Sequence, residues 1–132
     1  MTQLTPKEID FVKNNDLCRL ATSVTDKPHV VPVSYLYKAG NFYVASDYKT
    51  KKLFNIRKNP HVGLVVDIYK PNGNRGLTIQ GITRLIEYGQ AFKEIYDLFF
   101  QKFDWVRNEP WKEGDAPFIE IVVLSKSSWG IN

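Results

Sequence analysis

The residues best suited to chemistry lie in one run, Ser46-Asp47-Tyr48-Lys49-Thr50-Lys51-Lys52, where hydroxyls meet consecutive lysines. The run falls where a strand gives way to a helix. Free N–H groups at a helix start point at an anion, the helix dipole favours negative charge, and flanking ammonium groups neutralise it, so this run has the composition of a phosphate site. Its plainer reading is a solvated helix start with ordinary surface lysines. Arg19 is the second candidate. It interrupts the apolar strand Leu17-Cys18-Arg19-Leu20-Ala21-Thr22, where a guanidinium is costly unless it is paired or reaches an edge. It either faces water or serves as a further anion ligand.

Other constellations are sparse. His29 and His61 are the only histidines, they fall on separate elements, and no paired carboxylates stand at ligand spacing, so a metal site is not expected. The single cysteine, Cys18, forms no intrachain disulfide and fits a reducing compartment. Beside Arg19 its pKa could be depressed, although a strand cysteine among Leu17 and Leu20 reads more simply as a small buried hydrophobe. There is no P-loop, no Gly-x-Gly-x-x-Gly run and no nucleophile-elbow motif. Eighteen basic against fourteen acidic residues give a net charge of +4, which favours anionic ligands. With Tyr35, Tyr37, Tyr43 and Tyr48 among the basic residues, it also raises single-stranded nucleic acid as a partner. The charge is small for that role and the tyrosines serve more simply as core or interface, so no nucleic-acid partner is expected.

The elements that must position these groups follow from punctuation and period. Thr5-Pro6-Lys7-Glu8 is a capped helix start, opening a helix over 6–14. β-branched and aromatic residues over 17–25 and 29–37 flank a turn at Asp26-Lys27-Pro28, and Ala39-Gly40-Asn41 leads into a third strand over 42–46. A short helix over 51–58 stops at Asn59-Pro60, and strands follow over 62–69 and 77–87, with Gly81 placed for a bulge. Phe92, Ile95, Tyr96, Phe99 and Phe103 recur every three or four residues, the stripe of a core-packing helix over 91–103. The stretch 104–117, with Pro110, Gly114 and Pro117, reads as an exposed loop long enough to cover a site, and the last strand spans 118–124. Six strands joined as a meander with short helices between are best closed as a small barrel, with a sandwich as the alternative. The 132 residues amount to one domain. Apolar runs are strand-sized, far short of the roughly 20 residues that cross a bilayer. Met1-Thr2-Gln3-Leu4 lacks the character of a signal peptide. A cytoplasmic protein without membrane partners is the expectation.

Four segments, Arg19-Leu20-Ala21-Thr22, Pro28-His29-Val30-Val31-Pro32-Val33, Phe42-Tyr43-Val44-Ala45-Ser46 and Thr50-Lys51-Lys52-Leu53, stand in an order and at spacings that resemble the pyridoxamine 5'-phosphate oxidase-like FMN-binding split-barrel family. The resemblance implies a six-stranded antiparallel split β-barrel and a homodimer with FMN in the interface groove. It implies that Arg19 touches the flavin phosphate and that the backbone of Leu20, Ala21 and Thr22 borders the isoalloxazine ring. It further places Ala45 and Ser46 against the ring and ribityl side, and makes Thr50, Lys51 and Lys52 the phosphate grip. Lys51 departs from the family's usual Arg, a change from a bidentate fork to a point charge. Gly76 stands where the oxidase itself has Gln. The C-terminal run Ser127-Ser128-Trp129-Gly130-Ile131-Asn132 lacks the basic motif that grips pyridoxal phosphate, so vitamin B6 oxidation is not expected. Trp129 is either a C-terminal aromatic near the flavin or a core residue. The implied activity is a flavin-dependent oxidoreductase acting on a small molecule, in which FMN carries the redox chemistry and no side chain need be an acid or base. A reductase using the deazaflavin coenzyme and a non-catalytic flavin-binding protein are the alternatives.

Overall fold

The computed structural model of the chain describes residues 2–131. Its elements are α1 (Pro6–Lys13), β1 (Leu17–Val24), β2 (Lys27–Ser34), β3 (Leu36–Lys38), β4 (Asn41–Ala45), α2 (Lys51–Lys58), β5 (His61–Ile68), β6 (Arg75–Ile86), α3 (Gly89–Lys102), α4 (Asp104–Asn108) and β7 (Phe118–Trp129). The strands form one antiparallel sheet in the order β2-β1-β5-β6-β7-β4-β3. Its two edge strands, β2 and β3, are consecutive in the chain with only Tyr35 between them. The sheet must therefore curl until its edges meet, giving a half-barrel that is split along that seam.

Seven strands are present where six are expected, because the run 29–37 breaks at Tyr35. The Tyr35 side chain is fully buried, its hydroxyl donates to the Val12 carbonyl, and its N–H donates to the Asp16 carbonyl at 3.0 Å. These bonds pull the residue out of the ladder, and β3 starts afresh on the opposite edge. The first hairpin turns on Thr25 and Asp26, with φ of 54° and 60°, a tight turn whose twist suits paired strands. That places Pro28 and Pro32 within β2, tolerable because β2 is an edge strand. β7 also outruns the expected 118–124 and stays paired to β6 as far as Trp129. Ser125, Ser127 and Ser128 carry no apolar signal, and only the ladder reveals them as strand. The register shifts between Gln80 and Gly81, where a Cβ on Gly81 would lie 2.6 Å from Ile121 Cγ2 and 2.8 Å from the Val122 carbonyl oxygen. The expected bulge is there.

Two apolar cores result. Leu20, Phe42, Val44, Leu77, Ile79, Ile119 and Ile121 fill the barrel. On its outside, the α3 stripe of Phe92, Ile95, Phe99 and Phe103 packs with Tyr43, Val106 and Phe118. Helix α2 adds Leu53 and Ile56 to the barrel core and is pinned to β1 by polar contacts. Asn55 Nδ2 donates to the buried Thr22 hydroxyl at 2.9 Å, and Asn59 Nδ2 donates to the Ser23 carbonyl at 3.0 Å. Those bonds fix where the N-terminus of α2 emerges, beside the end of β4. No helix among the described residues is long and apolar enough to cross a membrane.

Candidate ligand-binding site

At the junction of β4 and α2 a cleft of about 410 Å³ opens, lined by Ala45, Ser46, Asp47, Thr50 and Lys52 on one side. The hydroxyls of Ser46 and Thr50 lie 2.8 Å apart, and both are within hydrogen-bond reach of the Asp47 carbonyl, at 3.0 and 3.1 Å. Thr50 caps α2, its hydroxyl accepting from the Leu53 N–H at 3.3 Å while its carbonyl accepts from the Phe54 N–H at 3.1 Å. Of the first-turn amides, those of Lys51 and Lys52 have no partner among the described residues, and they supply the positive end of the helix dipole.

The facing wall comes from the stretch 104–117, which begins as α4 rather than as pure loop. Trp105, Glu109, Trp111, Asp115 and Ala116 line it. The two indoles lie parallel, 5° apart in plane with centroids 6.0 Å apart, and Trp111 Nε1 donates to the Ala116 carbonyl at 3.2 Å. The cleft therefore offers an aromatic wall, two hydroxyls and one side-chain cation, Lys52, against the carboxylates of Asp47, Glu109 and Asp115. Burial lowers the Lys52 pKa, with Asp47 partly opposing the shift.

The other expected residues are dispersed. Lys51 stands on the exposed side of α2, its Nζ 5.8 Å from the centre of the Phe54 ring, and does not line the cleft. Leu20 points into the barrel core, so only its backbone is available to a ligand. Ala21 and Thr22 line a second cleft of about 410 Å³ with Gly63, Gln80 and Gly81. Arg19 is on the outer face of β1, paired through one guanidinium nitrogen with Asp67 Oδ1 at 2.6 Å. Trp129 lies opposite Gly76, and its indole covers that glycine so closely that a Cβ there would sit 2.1 Å from Cζ2. The indole is 42% exposed and so is not a core residue. Registers carry the rest: Arg19 opposes Val65, Asp67 opposes Gly76, and Gly76 opposes Trp129. Directly opposed residues share a face, as do residues two apart in a strand. Arg19, Asp67 and Trp129 thus form one band on the outside of the sheet.

The sequence singled out the loop but not the residues that it contributes. Trp105 and Glu109 are four apart across α4, a spacing that puts both on one side of a helix. Asp67 carried no signal at all, being an unremarkable charge in a strand. Burial pushes the Cys18 thiol up to about 12, so it is an inert core group rather than a nucleophile. Tyr35 and Tyr43 are buried and cannot stack on a nucleic-acid base.

Residues 4–125 match the family described as pyridoxamine 5'-phosphate oxidase, and the chain belongs to that family. A search of the curated proteins finds no match. Among solved structures, a conserved hypothetical protein from Mycobacterium tuberculosis is similar at 20% identity and a TM-score of 0.81, over 100% of this chain and 91% of that one. A FAD-binding protein from Mesorhizobium loti is similar at 24% identity and a TM-score of 0.77, over 95% and 94%. HutZ, the heme storage protein from Vibrio cholerae, is similar at 13% identity and a TM-score of 0.80, over 98% and 95%. At these identities the likeness establishes the fold. The FAD-binding and heme storage neighbours differ in ligand while the architecture persists, so function has to be argued from the site.

Proposed function

We propose that the protein is a flavoprotein that holds FMN in a groove between two copies of the chain and uses it as an oxidoreductase toward a small molecule. The observation that carries this reading is the cleft at the start of α2, where the helix N-terminus at Thr50 and the Lys52 side chain face an aromatic wall across Ala45 and Ser46. A phosphate suits the first two, and a planar ring suits the wall. The hydroxyls, the helix start and Lys52 suit a flavin phosphate, while the carboxylates of Asp47, Glu109 and Asp115 oppose it, so the charge is met only with Arg19 of a second copy. FMN would supply the electron or hydride chemistry, while Thr50 and Lys52 would hold its phosphate and the indoles would exclude water from the ring. A second copy completes the reading, since Arg19, Ala21, Thr22 and Trp129 lie outside the cleft that holds Ala45, Ser46, Thr50 and Lys52.

The outer face of the sheet supports that second copy. Along β1, β2 and β5 it carries small and apolar residues, Ala21 opposite Val30 and Gly63, with Val30 65% exposed. Val30→Asp, which leaves the interior untouched, is expected to convert a dimer to a monomer in light scattering after gel filtration and to release flavin with it. A monomeric parent protein would remove the interface.

The decisive measurement is the visible spectrum of the purified protein after addition of FMN and gel filtration. Retention of the flavin bands at one per chain supports the reading, and loss of flavin with retention of the deazaflavin coenzyme moves the assignment to that cofactor. Failure of both, or a heme spectrum instead, overturns it. Reoxidation of a reduced nicotinamide donor then separates an enzyme from a flavin-storing protein.

A further inference from the structure

We infer that Asp67 sets the affinity and exchange of the phosphorylated ligand by occupying Arg19 until a phosphate replaces it. This inference rests on the flavin reading, in which Arg19 is a phosphate ligand, and it assigns a role to a residue which that reading leaves unused.

The argument is one of competition for a guanidinium. Arg19 and Asp67 come from neighbouring strands, β1 and β5, and the 2.6 Å contact is their only strong partnership among the described residues. Neither is buried: the side chains are 51% and 33% exposed. A pair in that setting is weak, because water screens it and two side chains are ordered to make it. It is therefore strong enough to orient Arg19 and weak enough to be exchanged. A phosphate dianion arriving at Arg19 meets the Asp67 carboxylate already on the same nitrogen, so binding includes breaking that contact and accommodating a like charge beside it. A phosphate-free ring pays neither cost. Asp67 acts only on the anionic end of the ligand, and its band on the sheet also holds Trp129, so the exchange takes place beside an exposed aromatic surface.

Apart from Arg19, no cation pairs with Asp67 among the described residues, and its backbone stays in the β5–β6 ladder opposite Gly76. The carboxylate can thus be neutralised without disturbing the strand. The test titrates flavin fluorescence with the full-length protein and its D67N variant, using FMN and riboflavin as two separate probes. Asp67→Asn is expected to tighten FMN binding by about three- to tenfold and to slow its release, while leaving riboflavin affinity unchanged. On an Arg19→Gln background the gain should shrink to about twofold or less. Asp67→Ser, tested in parallel and checked by thermal melting, guards against a folding defect in the first variant. FMN affinity that is unchanged or weakened in both folded variants overturns the role of Asp67 and leaves the flavin reading intact. An equal gain for riboflavin also overturns it, since the effect would not run through the phosphate. If the parent and every variant retain no FMN, the flavin reading fails and the role of Asp67 falls with it.

Discussion

Under the flavin reading, Lys52→Met is expected to lower FMN affinity by about ten- to hundredfold, and Lys51→Met by about twofold or less. The two lysines are adjacent in sequence, and the expected phosphate grip treats them alike. A helix does not. Consecutive residues on α2 are about 100° apart around the axis, and only Lys52 lines the cleft with Ser46 and Thr50, while Lys51 lies against the exposed Phe54 ring. Methionine keeps the apolar stem that packs in the cleft wall and removes only the charge. The charge matters because Lys52 is partly desolvated, which lowers its pKa in the free protein. A bound phosphate would favour the ammonium form and raise that pKa. Affinity is therefore full below the free-state pKa of Lys52 and falls as pH rises through it, sooner than an ordinary lysine would allow. Fluorescence titration of FMN against pH checks both parts. The parent protein should lose affinity on the alkaline side, Lys51→Met should follow the same curve, and Lys52→Met should lie low and flat. Equal losses at the two positions would dissolve the phosphate assignment at the start of α2.

Much of the fold could be read from residues whose effect is local. Thr5 and Glu8 make the expected capping box, Gly81 makes the bulge, and the Phe92-to-Phe103 stripe packs as a core face. What escaped the sequence depends on long-range partners. Tyr35 looks like one more strand aromatic until Val12 and Asp16 bind it and split the run into β2 and β3. Ser125 to Trp129 lack hydrophobic alternation, yet β6 keeps them paired. The site shows the same division. Ala45, Ser46, Thr50 and Lys52 are drawn together because a strand end and a helix start are neighbours in the chain. Trp105 and Trp111 reach that cleft from more than fifty positions later, and nothing within the loop announces which way its indoles face. Arg19 needed a partner, as a strand guanidinium should, but the pairing with Asp67 is set by the β1–β5 register and not by any spacing along the chain.

Glu8 offers the largest expected change in stability. It is buried at the third position of α1, where it accepts from the Thr5 N–H at 2.8 Å and from the Ser128 hydroxyl at 2.6 Å, and it is ion-paired with Lys126. It therefore joins a helix cap to the far end of β7, the strand that presents Trp129. Burial alone would raise its carboxyl pKa, but the hydrogen bonds from Lys126, Ser128 and the Thr5 backbone outweigh burial and hold it at about 2. With the folded value below the ordinary 4.5, the stabilisation is fully present above pH 4.5 and drains away as the pH falls toward 2. Glu8→Ala leaves Lys126 without its carboxylate and is expected to lower the unfolding free energy at neutral pH by about 3 kcal/mol. Glu8→Gln, which keeps the cap and part of the network, should cost about half as much and flatten the acid limb. Urea melts at neutral and acid pH measure both. The double change Glu8→Leu with Lys126→Met separates charge from packing, because removing both partners of a buried pair spares the penalty of an orphaned ion. If the double variant is as unstable as Glu8→Ala, what α1 needs from Glu8 is its reach to the Thr5 cap and not its pairing with β7.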